Sequence, residues 1–242
     1  MMRFLSAFVL MAITALSGQT SWAAESAADP GGVLVFGGSG RTGAFVVDEL
    51  LNRGEAVTVF VRPTSDRSRL EGRNVAYAVG DAMNSADVDG AIAAAKPRVV
   101  INTIGGAGSQ VGFWDTTQMN MTAAAKKYGA EEIIFLGSVG TGDSAVAYSE
   151  AARERTKVGM AERFRAEEDI KGSGLNYVII RTGIIAPEGT AATGKARFTE
   201  DRMSLKPIAR RDLAKLTVEC MGNVDCRNKT FAAEDETITF SR

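Results

Sequence analysis

Short apolar runs alternate with longer amphipathic stretches from residue 31 onward. Most of the runs are unbroken series of Val, Ile, Leu and Phe, which are typical of strands covered on both faces of a sheet. We therefore predict seven strands, at 33–36, 56–61, 75–80, 98–104, 132–137, 177–181 and 229–233.

Helical patterns fill the intervals between these strands. Gly54 and Gly129 follow two of them, and Asn84 and Asp115 are candidate N-caps. The predicted helices lie at 42–54, 84–95, 115–129, 157–174 and 210–222. Alternating strands and helices imply parallel strands joined by right-handed crossovers. The predicted fold class is therefore α/β, a single doubly wound parallel-sheet Rossmann domain, with ligands expected beyond the carboxyl ends of the strands.

Residues 1–23 have the pattern of a secretory signal peptide. Arg3 precedes an apolar run at 4–16, and Ser21 and Ala23 are small residues suited to a cleavage site. We expect cleavage after Ala23, a linker over 24–30 and the Rossmann domain over 31–242. The run is short for a membrane span, so we expect export to the periplasm or secretion and no stable span after cleavage. An uncleaved N-terminal anchor is the alternative.

Composition narrows the chemistry. The chain has 28 basic and 29 acidic residues, so nothing favours nucleic acid as a partner, and a small-molecule substrate or none is expected. Histidine is absent, which excludes Ser-His and Cys-His nucleophile systems and histidine metal sites. Cys220 and Cys226 alone make a poor metal site, and we predict none. They can pair as a disulfide or remain free, and the sequence leaves both open.

Three glycines follow the first strand at G-x-x-G-x-x-G spacing, as Gly37, Gly40 and Gly43. The first allows a sharp turn, the second allows backbone to approach a pyrophosphate, and the third allows the next helix to pack closely. Phosphates would then meet free N–H groups at the positive end of that helix. This context predicts a dinucleotide site, and the alternative is a glycine-rich turn without a ligand.

The end of the second strand indicates which dinucleotide binds. An NAD site usually carries Asp or Glu there for the ribose diol, whereas this strand ends at Arg62. A guanidinium suits a 2′-phosphate, and Arg41 in the glycine turn adds a second positive charge. We therefore predict NADP(H) in preference to NAD(H). Alternatively, Arg62 is an ordinary surface arginine, or Asp66 neutralises it.

The chain resembles the atypical short-chain dehydrogenase/reductases over about residues 33–240. The motifs that carry the likeness are "VLVFGGSGRTG", "VFVRP", "VGDAMN", "VINTIG", "IIFLGSVG", "SGLNYVIIRTG" and "IARRDLA". The nearest branch resembles the NmrA-like and biliverdin-reductase-B-like NAD(P)H-binding proteins. None of these motifs specifies a substrate.

The resemblance implies a set of cofactor contacts that all follow strand ends. The phosphates would be held by Ser39, Gly40, Arg41 and Thr42, and the 2′-phosphate by Arg62. Asp81 and Ala82 would flank the adenine, and Thr103, Ile104 and Gly105 would line the ribose. Ser138, Thr182, Gly183 and Ile184 would surround the nicotinamide.

The chain departs from the wider superfamily at the residues that move protons. The usual Tyr-x-x-x-Lys pair is missing, and Gly159 and Arg163 stand at or near its two positions. Tyr148, in the predicted loop 141–157, could reach the site, but a solvent-exposed loop side chain is the preferred interpretation. Ser138 and Arg163 could polarise an acceptor oxygen, although Ser138 could instead bond only cofactor or backbone. The catalytic candidates are therefore Ser138, Arg163 and Tyr148.

Three functions follow from these residues. The first is an NADPH-dependent oxidoreductase acting on a small conjugated or carbonyl substrate, such as a flavin, a quinone or a linear tetrapyrrole, which can take its proton from water. The second is a non-catalytic NADP(H)-binding sensor or scaffold. The third is an NAD-dependent epimerase or dehydratase, which the missing pair and Arg62 disfavour.

Overall fold

In the computed structural model, residues 31–105 and 110–239 are described, and they form a sheet with helices on both faces. The strands are β1 (Val33–Phe36), β2 (Val57–Val61), β3 (Ala76–Val79), β4 (Val99–Asn102), β5 (Glu132–Ser138), β6 (Asn176–Thr182), β7 (Ile184–Ile185), β8 (Arg197–Thr199), β9 (Pro207–Ile208) and β10 (Lys229–Glu234). The helices are α1 (Gly43–Asn52), α2 (Ser85–Ala95), α3 (Phe113–Lys127), α4 (Glu150–Gly172) and α5 (Arg210–Cys220).

The main sheet has the order β3-β2-β1-β4-β5-β6-β10-β8. Every neighbouring pair is parallel except β10 and β8, which run antiparallel at one edge. The strand order reverses between β1 and β4, which is the switch point where this fold binds ligands. A separate pair, β7 and β9, lies outside the main sheet. The predicted doubly wound Rossmann class is confirmed.

The core lies in two layers, one on each face of the sheet. The face that contains Val33 and Val35 packs against α1 and α5. The face that contains Leu34 and Phe36 packs against α2, α3 and α4. Because β1 is buried on both faces, every one of its positions is apolar, and the alternation typical of a half-exposed strand does not occur.

Two features of the fold differ from the sequence prediction. The short strands β7, β8 and β9 were not predicted, because two or three residues carry no readable pattern. Helix α4 begins at Glu150, so the prediction of a loop extending to residue 157 is wrong over its second half. Its first two turns bury no side chain, so no apolar periodicity marks them. The Ser149 side chain caps them by accepting from Ala152 N at 3.3 Å.

Cys220 and Cys226 form a disulfide that closes the turn after α5, with their Cα atoms 5.5 Å apart. No helix within the described ranges is long and apolar enough to cross a bilayer. The predicted signal peptide (1–23) and linker (24–30) lie outside the described residues, as do residues 240–242 of the predicted domain.

Candidate functional site

The glycine turn lies at the switch point, between β1 and α1. Gly37 has a φ of +78°, which a side chain would strain. A Cβ on Gly37 would also lie 2.8 Å from the backbone nitrogen of Ile104, just beyond β4. The carbonyl of Gly37 accepts from Gly40 N at 2.9 Å, and this hydrogen bond closes the turn. Glycine is therefore required here for both the backbone conformation and the close approach of β4.

Gly43 brings the start of α1 against the strands. A Cβ there would lie 2.6 Å from Thr103 Oγ1, 2.8 Å from the carbonyl carbon of Gly37 and closer still to the Gly37 oxygen. Gly40, in contrast, is exposed, and among the described residues other than its chain neighbours, the Gly37 oxygen alone lies within 4 Å of an added Cβ, at 3.0 Å. Gly37 and Gly43 thus serve packing, whereas Gly40 leaves backbone open to a ligand.

The N–H groups of this turn suit a pyrophosphate. Across the described residues, the N–H groups of Ser39, Arg41 and Thr42 donate to no acceptor. Thr42 is the N-cap of α1, and its side chain makes no capping bond. Unpaired N–H groups at a helix start, together with the positive end of the helix dipole, attract phosphate oxygens. The residues present therefore fit a dinucleotide.

The cation expected at the end of β2 is available. Arg62 is exposed, and its backbone N–H donates to Ser65 Oγ at 3.0 Å. Asp66, the neutralising partner considered from the sequence, instead accepts from Ser68 N at 2.9 Å. Within residues 31–105 and 110–239, the Arg62 side chain forms no ion pair. It is therefore free to meet an anion at the carboxyl edge of β2.

Two charged residues near the turn were missed from the sequence. The Glu188 carboxylate, in the turn after β7, lies 3.0 Å from Arg69 Nη2 and 4.0 Å from Arg41 Nη1. Arg210, at the start of α5, donates to the Ala186 carbonyl. Burial lowers the pKa of Arg210, and the positive charge of Arg41 lowers it further. Arg41, Arg69 and Arg210 therefore bring basic side chains from three parts of the chain together around Glu188.

The residues after β3 and β4 are held by side chains of α3. Asn120 Nδ2 donates to the Ala82 carbonyl at 3.0 Å. The buried Asn102 donates to Gln118 Oε1 at 2.8 Å, and its own oxygen accepts from Ile104 N at 2.9 Å. Asp81, predicted to flank the adenine, is exposed. The predicted adenine and ribose residues thus follow strand ends, and their backbone is fixed by polar contacts.

The residues predicted to surround the nicotinamide lie at the carboxyl ends of β5 and β6, where Ser138 and Thr182 are the last strand residues, and Gly183 and Ile184 follow β6. Ser138 Oγ donates to Val139 O at 3.0 Å, and Thr182 Oγ1 donates to Gly137 O at 3.1 Å. A Cβ on Gly183 would lie 2.9 Å from the Leu205 Cα, so glycine allows this close approach. Ile184 is exposed. The Ser138 hydroxyl therefore bonds the backbone. Of its two predicted roles, this is the one that does not polarise an acceptor oxygen.

Arg163 lies on α4 with its guanidinium carbon 3.7 Å from the centre of the Trp114 ring. Its Nη1 donates to Gly159 O at 3.3 Å, and it forms no ion pair among the described residues. Burial lowers the pKa of Arg163, while the charges of Glu162 and Tyr148 oppose that shift. The side chain therefore presents a fixed, half-buried cation beside the buried Trp114 ring.

Tyr148 is not the solvent-exposed loop side chain that we preferred from the sequence. It is half-buried, and a Cβ on Gly140 would lie 2.8 Å from its Cδ2 atom.

The predicted Asp115 cap of α3 is wrong, because Glu162 accepts from Gly112 N at 2.7 Å and from Trp114 N at 3.3 Å. A helix 50 residues away thus supplies the cap of α3, which no local pattern reveals.

A buried ion pair supports the segment between β5 and α4. Arg181 on β6 contacts Glu167 on α4 through two bonds, of 3.0 and 2.6 Å, and both side chains are almost fully buried. Asp143, in the short 3₁₀ helix Gly142–Ala147, accepts from the same guanidinium. That bond holds the pKa of Asp143 below its usual value. The segment leading to Tyr148 is therefore tied to the core.

The turn, its unpaired N–H groups and the reversal of strand order are the features of a dinucleotide-binding Rossmann protein. Residues 37–223 match the sequence model of the NAD(P)H-binding family, and the chain belongs to that family. The predicted resemblance to atypical short-chain dehydrogenase/reductases is confirmed at this level.

Two solved structures and one curated protein are similar to the chain over most of its length. The anaerobillin reductase ChuY from Escherichia coli O157:H7 is 25% identical, with a TM-score of 0.74 over 86% of this chain and 99% of that one. A short-chain dehydrogenase/reductase from Veillonella parvula, solved in complex with NADP, has 14% identity and a TM-score of 0.67 over 85% and 94%. An uncharacterized chloroplastic protein of Arabidopsis thaliana is 23% identical over 82% of this chain and 67% of its own length.

Proposed function

We propose that the protein is an NADPH-dependent oxidoreductase that reduces a small conjugated or carbonyl substrate. The observation that carries the cofactor preference is Arg62, which follows β2 and forms no ion pair among the described residues, at a position where an NAD site would have a carboxylate. Arg41, in the glycine turn itself, adds a second guanidinium, 4.0 Å from Glu188. A 2′-phosphate would meet both cations, whereas a bare ribose diol would leave Arg62 without a partner.

Bound NADPH would supply the hydride. The chain's own residues would bind the phosphates and stabilise negative charge on the substrate. Ser39, Arg41 and Thr42 offer N–H groups for the phosphates. Arg163 cannot practically give up a proton, so it would stabilise negative charge on an acceptor oxygen and would not act as an acid. Its stacking on Trp114 fixes that charge in place, which limits reorganisation during reaction.

The substrate class follows from the missing proton-moving pair. With Gly159 and Arg163 at those positions, a substrate must accept hydride at carbon or nitrogen and take its proton from water. Conjugated planar molecules meet this requirement. The similarity to an anaerobillin reductase makes anaerobillin the first acceptor to test, followed by linear tetrapyrroles, flavins, quinones and aldehydes.

Loss of NADPH absorbance with this acceptor panel tests the proposal. We expect turnover with at least one conjugated acceptor. Arg62→Ala should raise the Kd of NADPH and leave that of NADH unchanged, because it removes a contact to the 2′-phosphate alone. Arg163→Ala should lower kcat at an unchanged Kd for NADPH. NADPH binding without turnover on any acceptor would refute catalysis.

That last outcome would favour the second candidate, a non-catalytic NADP(H)-binding sensor or scaffold. The absence of the Tyr-x-x-x-Lys pair is the observation that supports it. An NAD-dependent epimerase or dehydratase would need that pair. Tight NAD binding together with epimerase activity would be required to support this third function.

We also propose that the protein is exported, on the pattern of residues 1–23 alone. The mass of the mature N-terminus, together with fractionation of cells, tests this. A mature chain beginning at Ala24 outside the cytoplasm would support it, and an intact Met1 in the cytoplasm would contradict it.

A further inference from the structure

Glu188 lies between two arginines that come from distant parts of the chain. Arg69 belongs to the short 3₁₀ helix Ser68–Leu70 that follows β2, and Arg41 belongs to the glycine turn. Glu188 Oε1 is 3.0 Å from Arg69 Nη2, and Oε2 is 4.0 Å from Arg41 Nη1. One carboxylate therefore draws together a cation from the glycine turn after β1 and a cation from the segment that follows β2.

The turn that carries Glu188 is fixed at both ends. On one side, Arg210 donates to the carbonyl of Ala186. On the other, the buried Asp212 accepts from Thr193 N at 2.8 Å and from Gly194 N at 3.1 Å. Because both anchors lie in the first turn of α5, the carboxylate is presented from a defined backbone position.

A Rossmann fold places the adenosine ribose at the end of β2, so a 2′-phosphate would lie among these same arginines. Arg69 lies seven residues beyond Arg62, in the segment that leaves that strand. A phosphate is a stronger partner for a guanidinium than a carboxylate, because it carries more charge and three acceptor oxygens. The two anions would compete for the same donors.

We infer that Glu188 acts as an internal stand-in for the 2′-phosphate, holding Arg41 and Arg69 until NADP(H) displaces it. This inference rests on the proposed function. Glu188 then lowers the affinity for NADP(H) and has little effect on NAD(H), so it sets the selectivity between the two. It also couples nucleotide binding to the segment between β7 and β8, because displacement frees the side chain of Glu188 from both arginines.

Calorimetric titration of the full chain with adenosine 2′,5′-bisphosphate and with adenosine 5′-monophosphate tests the inference without turnover. These probes differ by the 2′-phosphate alone. The variants are Glu188→Gln and, as a control with the same change of charge, Glu219→Gln. Glu219 pairs with Lys215 at 3.9 Å and lies nine residues along α5 from Arg210, on the order of 13 Å away.

We expect Glu188→Gln to tighten binding of the bisphosphate about threefold to tenfold at low salt, since exposed ion pairs contribute modestly. Binding of the monophosphate should change by less than about twofold. The gain should shrink as salt rises, because exposed charges are screened. It should also disappear when Arg69→Ala is added, because that cation is then no longer available to the phosphate.

Equal tightening of both probes, or the same tightening with Glu219→Gln, would overturn the inference and leave the proposed NADP(H) site standing. Unchanged binding of the bisphosphate by Glu188→Gln would do the same. Failure of the wild type and of Glu188→Gln to bind the bisphosphate at all would overturn both the inference and the proposed NADP(H) preference. The two failures are thus distinguishable.

Discussion

Replacement of Gly43 by Ala tests whether the glycine turn is built by close packing. The added Cβ would lie 2.6 Å from Thr103 Oγ1 and 2.8 Å from the carbonyl carbon of Gly37. Neither neighbour can retreat easily. The Gly37 carbonyl accepts from Gly40 N, and Thr103 Oγ1 donates to Phe36 O at 2.9 Å. The start of α1 must therefore move away from the strands.

The size of the effect follows from this overlap. Ordinary carbon contacts need about 3.5 Å, so the start of α1 would shift by roughly 1 Å. Overpacking of this kind costs about 1–3 kcal/mol, and the gain in helix propensity at the first position offsets little of it. A net loss of about 2 kcal/mol lowers Tm by about 4–8 °C in a domain of this size. The same shift would move the N–H groups of Arg41 and Thr42 away from the position proposed for the phosphates.

Thermal unfolding and titration with NADPH measure the two consequences separately. Gly172→Ala is the matched control, because no described atom outside its chain neighbours and the backbone of its own helix lies within 4 Å of a Cβ at that position. We expect the control to keep the wild-type Tm and the wild-type Kd for NADPH. Gly43→Ala should have a lower Tm and a higher Kd for NADPH. A Gly43→Ala protein with unchanged Tm and unchanged Kd for NADPH would refute the packing argument.

Two further predictions concern the ion pair beneath the segment that leads to Tyr148. Glu167→Ala should lower the free energy of unfolding by about 3–5 kcal/mol in urea, because it leaves the Arg181 charge buried with only Asp143 as partner; a loss below about 1 kcal/mol would contradict this. Asp143→Asn should be less stable than the wild type at neutral pH. Because Arg181 lowers the pKa of Asp143, that gap should close as pH falls below the ordinary value of 3.8. A gap that widens on acidification would show that the sign is wrong.

Periodicity predicted the framework because buried parallel strands are uniformly apolar. The seven strands at 33–36 through 229–233 are all present. The first two turns of α4 escaped prediction because they contact solvent on nearly every side and depend on the Ser149 cap. Short edge elements such as β8 depend on a partner strand far along the chain, so no local signal marks them.

Prediction of the site was limited by contacts between distant residues. The glycine turn and Arg62 can be predicted from the sequence, because the Rossmann fold fixes their positions relative to β1 and β2. The contact of Glu188 with Arg69 joins residues 119 positions apart, and Glu162 caps α3 from 50 positions away. Such pairs arise from how helices and turns dock on the sheet, and a single sequence does not encode them in any window.

The central claim is that this turn and its arginines hold a 2′-phosphorylated dinucleotide. Calorimetric titration of the wild-type chain with NADPH and with NADH tests it most directly. A charge-assisted contact to the 2′-phosphate contributes about 1.5–3 kcal/mol, so NADPH should bind about tenfold more tightly or better. Equal Kd values, or tighter binding of NADH, would contradict the account.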